Sequence, residues 1–264
     1  AFVLSAAAAV SAADCNPTKA SCPAIAGFTG PYSVDFSNNK ALSSSDWIVA
    51  AYEDPFVKPS AQGLQFQLTN YTDAPNIWTS KYFLYGTVSV VMKSAPGKGV
   101  ISSAVLMSDT LDEIDWEFSG NNFGKNVPTV QTNYYGKGIV GSYDRGTLPT
   151  VNGEMTTAFK NYTLVWKADS LTWMIDNKVV RTLKRSDTGD REHQYPQTPA
   201  RFHLGAWDGG SPTSPDGTAT WAGGRTDIHG FPYSSYVRSV SIIPDKHCAQ
   251  YSYSDKSGSE GSVK

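Results

Sequence analysis

The sequence is short of charge. Lys, Arg, Asp and Glu make up only 17% of its 264 residues, and 22 basic against 24 acidic side chains leave a net charge of −2. No basic excess points to nucleic acid, and no polybasic tail points to anionic lipid. Long hydrophobic runs are missing too. The stretch Ala1–Ala13, AFVLSAAAAVSAA, is apolar or small throughout but too short to span a bilayer. Cysteine is scarce, with three in all, and the four histidines (His193, His203, His229, His247) are scattered. No Cys/His cluster has metal-ligand spacing, so neither metal nor cofactor is expected. No segment carries a long 3.6-residue apolar period, which excludes a helical bundle. The one helical candidate is a short stretch at Ser43–Trp47. Internal repeats and breaks in composition are also lacking, so one domain is expected.

What is present reads as a secreted all-β protein. Hydrophobic residues reach 40%, enough for a buried core. Residues 1–13 read as the remnant of a signal peptide, an apolar run ending in small residues. Cys15 and Cys22 are seven apart around Pro17 and Lys19, a short disulfide loop that fits an oxidising compartment. Cys248 is left over, either as a free thiol or with a partner beyond Lys264. Asn70-Tyr71-Thr72 and Asn161-Tyr162-Thr163 are glycosylation sequons.

Gly, Pro, Asn, Asp and Ser recur between short β-branched and aromatic runs. These runs are 64–69, 85–93, 102–108, 113–118, 130–135, 161–166, 171–175, 178–183, 201–207 and 236–243. About ten to fourteen strands at this spacing predict a sandwich or jelly roll. Asp176-Asn177 is placed to turn a hairpin between 171–175 and 178–183. The catalytic domain is expected over 14–250. The Ser- and Gly-rich stretch 251–264 reads as a tail or the start of a linker.

The stretch Glu113-Ile114-Asp115-Trp116-Glu117-Phe118 alternates strictly between acid and apolar. In a strand this places Glu113, Asp115 and Glu117 on one face and the apolar residues on the other. Three acids in a row repel one another, a cost that a purely structural strand avoids. Glycosidic cleavage explains the pattern: one carboxylate attacks and one carboxylic acid donates a proton. In a retaining enzyme the two carboxyl groups lie about 5–5.5 Å apart. Residues i and i+4 of a strand have Cα atoms about 13 Å apart, and two Glu side chains leaning together close much of that gap. A cation site or a solvated acidic stripe are the competing readings.

Alternation selects further candidates. Gln131, Asn133 and Tyr135 share one face, with Val130, Thr132 and Tyr134 expected on the core side. Arg201, His203, Gly205 and Trp207 share another, with Phe202, Leu204 and Ala206 in the core. Trp207 is a candidate sugar-stacking ring, with Gly205 leaving room for the sugar. Trp221, next to Gly223 and Gly224, is a second. Trp78 is a possible cleft-lining ring, Thr218 a candidate bond to an N-acetyl or hydroxyl group. Trp47, Trp116 and Trp173 read as core.

The run Asp112-Glu113-Ile114-Asp115-Trp116-Glu117-Phe118 resembles the Glu-x-Asp-x-Glu signature of glycoside hydrolase family 16. The resemblance implies Glu113 as nucleophile, Asp115 as assisting residue and Glu117 as acid/base. It implies a β-jelly roll of two curved antiparallel sheets with a concave cleft. The blocks Pro199–Gly210 and Thr220–Gly224, with the Cys15…Cys22 opening, are similar to the fungal Crh-type branch, cell-wall transglycosidases that join chitin to β-glucan. The expected partners are therefore chitin and β-glucan, with no nucleic acid, acting on a monomer outside the cell or in its wall. Many members carry a C-terminal anchor signal and a Ser/Thr-rich stalk, absent here, so attachment stays open. A plain endo-β-glucanase, a lectin-like sandwich and a structural wall protein are the rival readings.

Overall fold

In the computed structural model, residues 15–37, 39–51 and 54–264 are described. The expected signal remnant 1–13 lies outside them. The early strands are β1 (Ile25–Ala26), β2 (Tyr32–Asp35), β3 (Trp47–Val49), β4 (Val57–Ser60), β5 (Gly63–Leu68) and β6 (Asn76–Thr79). The middle ones are β7 (Gly86–Lys93), β8 (Gly97–Ser108), β9 (Glu113–Gly120), β10 (Gln131–Tyr135) and β11 (Lys160–Trp166). Then come β12 (Ser170–Ile175), β13 (Lys178–Lys184), β14 (Ala200–Asp208), β15 (Tyr233–Pro244) and β16 (Gln250–Tyr251). The ten expected strands are all there, within a few residues of their ends. Asp176 and Asn177 turn the β12–β13 hairpin at φ 48° and 65°, the left-handed region that Asp and Asn tolerate.

The strands form two large antiparallel sheets and one small one. A six-stranded sheet runs β10-β9-β8-β14-β6-β3. The larger sheet runs β13-β12-β11-β7-β15-β5-β4, with β2 also on β15. β1 and β16 pair separately. Every second residue points between the two large sheets. Ile114, Trp116 and Phe118 from β9 are buried there, with Phe202, Leu204 and Ala206 from β14. They meet Tyr162, Leu164, Trp166, Leu171 and Trp173 of the facing sheet in one cluster. Tyr162 closes edge-on against Phe118 at 4.6 Å and Trp116 at 5.5 Å between ring centroids. The sheets therefore interdigitate through aromatics, and Trp47, Trp116 and Trp173 are core as expected.

Two expectations are corrected, the helix at Ser43–Trp47 and the tail after residue 250. Ser43–Trp47 is a single turn, with Ser43 O accepting from Asp46 N and Trp47 N. Trp47 then opens β3, because pairing with β6 gives its backbone a ladder partner. The α-helix among the described residues is α1 (Asp216–Trp221), which follows Pro215 and ends before Gly223 and Gly224 at φ 98° and 123°. Gly224 N closes onto Ala219 O, so the positive φ serves the helix stop.

The stretch 251–264 is packed rather than a tail. Ser252 and Lys264 exchange backbone hydrogen bonds, Glu260 pairs with Arg185 at 2.7 Å, and Ser262 is fully buried. The domain thus continues past residue 250. Low apolar content concealed this, since backbone bonds and one ion pair hold the stretch. Cys15 and Cys22 are disulfide-bonded, and Cys248 is a free thiol. Asn70 stands exposed in a turn, whereas Asn161 lies within β11. No helix among the described residues is long and apolar enough to cross a membrane.

Candidate active site

Register assembles the site on the face of the six-stranded sheet turned away from the core. Across β10, β9, β8 and β14, one row reads Tyr135, Glu113, Met107, Arg201. The next reads Asn133, Asp115, Val105, His203, then Trp78 on β6. The third reads Gln131, Glu117, Ser103, Gly205, Asn76. Directly paired residues share a face. The two alternating runs read from the sequence are thus brought together around the acids by β8, which lies between β9 and β14.

The acids sit in a partly closed environment. Asp115 is buried, and Glu113 and Glu117 are half-buried. Burial pushes Glu113 up to about 7, opposed by a hydrogen bond from Asp115. Burial and then the charge of Glu113 push Glu117 up to about 8. Asp115 rises well above the carboxylate range, from burial first and then the charges of Glu117 and Glu113, with Arg181 opposing. This environment favours the protonated form of all three acids, and the hydrogen bond from Asp115 favours the charge of Glu113 against that trend. A protonated Asp115 can donate to Glu113 and hold it as a carboxylate. Asp112, just before β9, accepts from Lys137 N, Gln197 N and Thr198 Oγ1 at 2.6–2.8 Å, fixing the strand's entry.

The polar neighbours divide into two groups. Gln131 and the two indoles form one. The Trp207 and Trp221 rings stack at 6.0 Å and 16°, and Phe123 closes on Trp221 at 5.4 Å. With its NH2 towards β9, the Gln131 amide donates to Glu117 Oε2 at 3.3 Å and accepts from Trp221 Nε1 at 3.1 Å. An indole N–H only donates, so the amide oxygen has to face it. Both indoles are half-buried, as a sugar-stacking face requires.

The other group is already engaged. Asn133 Nδ2 donates to the Tyr135 hydroxyl at 3.1 Å, and both residues are buried. The segment after β10 folds back over them: Thr147 pairs with Thr132, and Arg145 stacks on the Tyr135 ring at 4.4 Å. Asn133 and Tyr135 face the acids as expected, but as a buried brace. Arg201 is buried beside Asp109 at 3.8 Å and lies over Tyr82 at 4.9 Å. His203 stacks on Trp78 at 5.4 Å, and burial, then Arg201, hold its imidazole down at about 3, so it is neutral. Thr218 is buried in α1, one turn before Trp221. Gly205 does not open a gap for sugar. A Cβ there would meet Pro75 O at 2.9 Å, so its place is taken by the 75–76 backbone.

Arg181 escaped the sequence reading. It lies on β13 directly opposite Trp173 and so turns inward with it. Its guanidinium stacks on Trp173 at 4.6 Å and donates to Thr132 O and Arg145 O, each at 2.7 Å. The register shift between Trp173 and Met174 turns the hairpin so that this charge faces inwards, which alternation alone did not show.

Two antiparallel sheets packed on an aromatic core, with three acids in a row on the outer face of one, define a β-jelly-roll sandwich built around an acidic strand. A sequence profile of glycosyl hydrolases family 16 matches residues 43–223, and the chain belongs to that family. It is 47% identical over 253 residues to Crh-like protein 5 of Aspergillus fumigatus, covering 95% of this chain and 61% of that one. The chain thus spans about three fifths of that relative's length. It superposes on a Crh5 transglycosylase solved in complex with NAG at a TM-score of 0.86 and 44% identity, covering 95% of this chain and 99% of the other. A Bacillus licheniformis beta-glucanase shares the fold at a TM-score of 0.65 and 22% identity, covering 81% and 98%.

Proposed function

We propose that the chain is a retaining transglycosidase that cleaves β-1,4-linked chitin and passes the glycosyl part to β-glucan or chitin acceptors in a fungal cell wall. The observation that carries this reading is the face that Glu113 and Glu117 share on one strand, flanking the buried Asp115. Burial raises both glutamates above the ordinary carboxylate range, and the hydrogen bond from Asp115 favours the charged form of Glu113. A nucleophile and a proton donor side by side need that environment. The similarity to a Crh5 transglycosylase in complex with NAG supports the choice of donor and of transfer.

The Glu113 carboxylate attacks the anomeric carbon while the glycosidic C–O bond breaks. Glu117 delivers its proton to the departing oxygen, leaving a glycosyl ester on Glu113 and a carboxylate on Glu117. An acceptor hydroxyl then attacks the same carbon, Glu117 takes its proton, and the ester bond to Glu113 breaks. Asp115 donates to Glu113 before attack and after release. Trp207 and Trp221 offer a stacking surface on the Glu117 side. Arg201, Asn133, Tyr135 and Thr218 act from buried positions and His203 from a half-buried one, shaping the cleft. The disulfide Cys15–Cys22 suits work outside the cell. We propose that it acts as a monomer.

The test is to mix a chitin oligosaccharide with a labelled β-1,3-glucan acceptor and analyse the products. A labelled hybrid supports transfer; shortened chitin alone removes it. Glu113→Gln should form no covalent intermediate, and persistent turnover would overturn the nucleophile assignment.

A further inference from the structure

Glu117 is tied to α1 through one amide. Trp221, the last residue of α1, is held in orientation by the Trp207 stack and by Phe123. Its N–H meets the Gln131 oxygen at 3.1 Å, and the Gln131 nitrogen meets Glu117 Oε2 at 3.3 Å. Gln131 has no choice of orientation while the indole N–H is present, because reversing the amide would set two donors against each other. We propose that Trp221 and Gln131 are positioning residues for Glu117: the indole fixes the amide, and the amide presents a donor to the carboxylate. This rests on Glu117 being the acid/base.

The consequence differs between the two half-reactions. A fixed donor favours the charged form of Glu117. That form is the product of the first step and the base of the second. Gln131 therefore holds Glu117 ready to deprotonate an acceptor hydroxyl. Trp221 also offers a ring face on which a sugar can stack, so the ring that contacts sugar and the bond that tunes the base belong to one side chain.

Among the described residues, these charged or titratable groups lie around Glu117. Glu113 and Asp115 lie on its own strand, Tyr135 lies on β10, and Arg181 and Arg145 lie behind Asp115 and Tyr135. On β8 the paired residue is Ser103. Of these acids, Glu117 is the partner of the Gln131 amide, so the two variants are read against Glu117→Gln.

The experiment compares the pH dependence of kcat/KM for the wild type, Trp221→Phe and Gln131→Met, with Glu117→Gln as reference. Trp221→Phe keeps a smaller ring on Trp207 and deletes the N–H. Gln131→Met keeps the length and deletes the donor. Both should move the alkaline limb up by about one pH unit, because Glu117 without its donor stays protonated to higher pH. Transfer should also slow about three- to tenfold in Gln131→Met, with its KM little changed. A raised KM with the limb unmoved in both variants would reduce Trp221 to a stacking ring and overturn the relay. Should Glu117→Gln keep wild-type activity, the acid/base reading itself fails and the relay with it. Gln131→Met removes the same bond without touching the indole stack, so a folding defect in Trp221→Phe does not leave the question open.

Discussion

Trp173 in the larger sheet donates its indole N–H to the backbone carbonyl of Asp115 in the smaller one, at 3.1 Å. The bond crosses the core and ends on the middle residue of the acidic strand. A core tryptophan thereby fixes the height of the carboxylates above the sheet.

Trp173→Phe keeps most of the ring volume but leaves that buried carbonyl without its partner. The expected cost is about 1–3 kcal/mol, read as a lower urea midpoint at unchanged slope. Turnover should fall more than KM rises, since the acids shift together while the stacking rings stay. A variant as stable as the wild type would show that the bond is not structural.

Stability should depend on pH through the same acids. Glu113 and Glu117 have folded values of about 7 and 8, above their ordinary value of 4.5. A raised acid favours the fold while protonated. That contribution is whole below about 4.5 and fades as pH rises towards 8. Glu117→Gln removes the penalty, so it should be more stable than the wild type at pH 8, on the order of 2 kcal/mol. Near pH 4 the gap should close. Thermal unfolding at the two pH values measures it, and an equal gap at both would contradict the assigned environment.

Arg181 should matter far beyond its place on a hairpin. Arg181→Met leaves Arg145 O without its side-chain donor, leaves Thr132 O with Thr147 N alone, and removes the cation that opposes the rise of Asp115. The expected loss is about 2–4 kcal/mol, with faster amide exchange over residues 140–150 than elsewhere. Arg181→Lys should recover little, because a single ammonium cannot span both carbonyls as the fork does. Wild-type exchange in that segment would show that Arg181 does not anchor it.

Deleting residues 252–264 separates the packed stretch from a linker. Glu260 binds Arg185, its N–H meets Gln197 Oε1 at 3.2 Å, and Gln197 N in turn bonds Asp112 beside Glu113. The truncated chain should lose about 2–4 kcal/mol and some activity. An unchanged urea midpoint would restore the reading as a linker.

Much of this was legible in the chain. Period-two alternation depends on the backbone alone, so 113–118, 130–135 and 201–207 declared both their core faces and their polar ones. Asp176-Asn177 announced its turn through residues that accept positive φ. The helix at 216–221 carried readable signals, Pro215 before it and two glycines after it, but six residues are too few for an apolar period. The tail misled because its partners, Arg185 and Gln197, lie some seventy residues away in the chain.

The sequence by itself determined that Glu113, Asp115 and Glu117 share a face, since side chains alternate whatever the strand pairs with. It determined the strand-rich class and the family signature. Only the tertiary structure decided which neighbours those acids have. Register set Gln131 opposite Glu117, and a helix some ninety residues further on brought Trp221 to the other end of the amide. Packing buried Asn133, Tyr135 and Arg201 that alternation had offered to sugar, and it turned Arg181 inward. The upward shift of all three acids belongs to the structure as well, because burial and neighbouring charge exist only once distant strands have met.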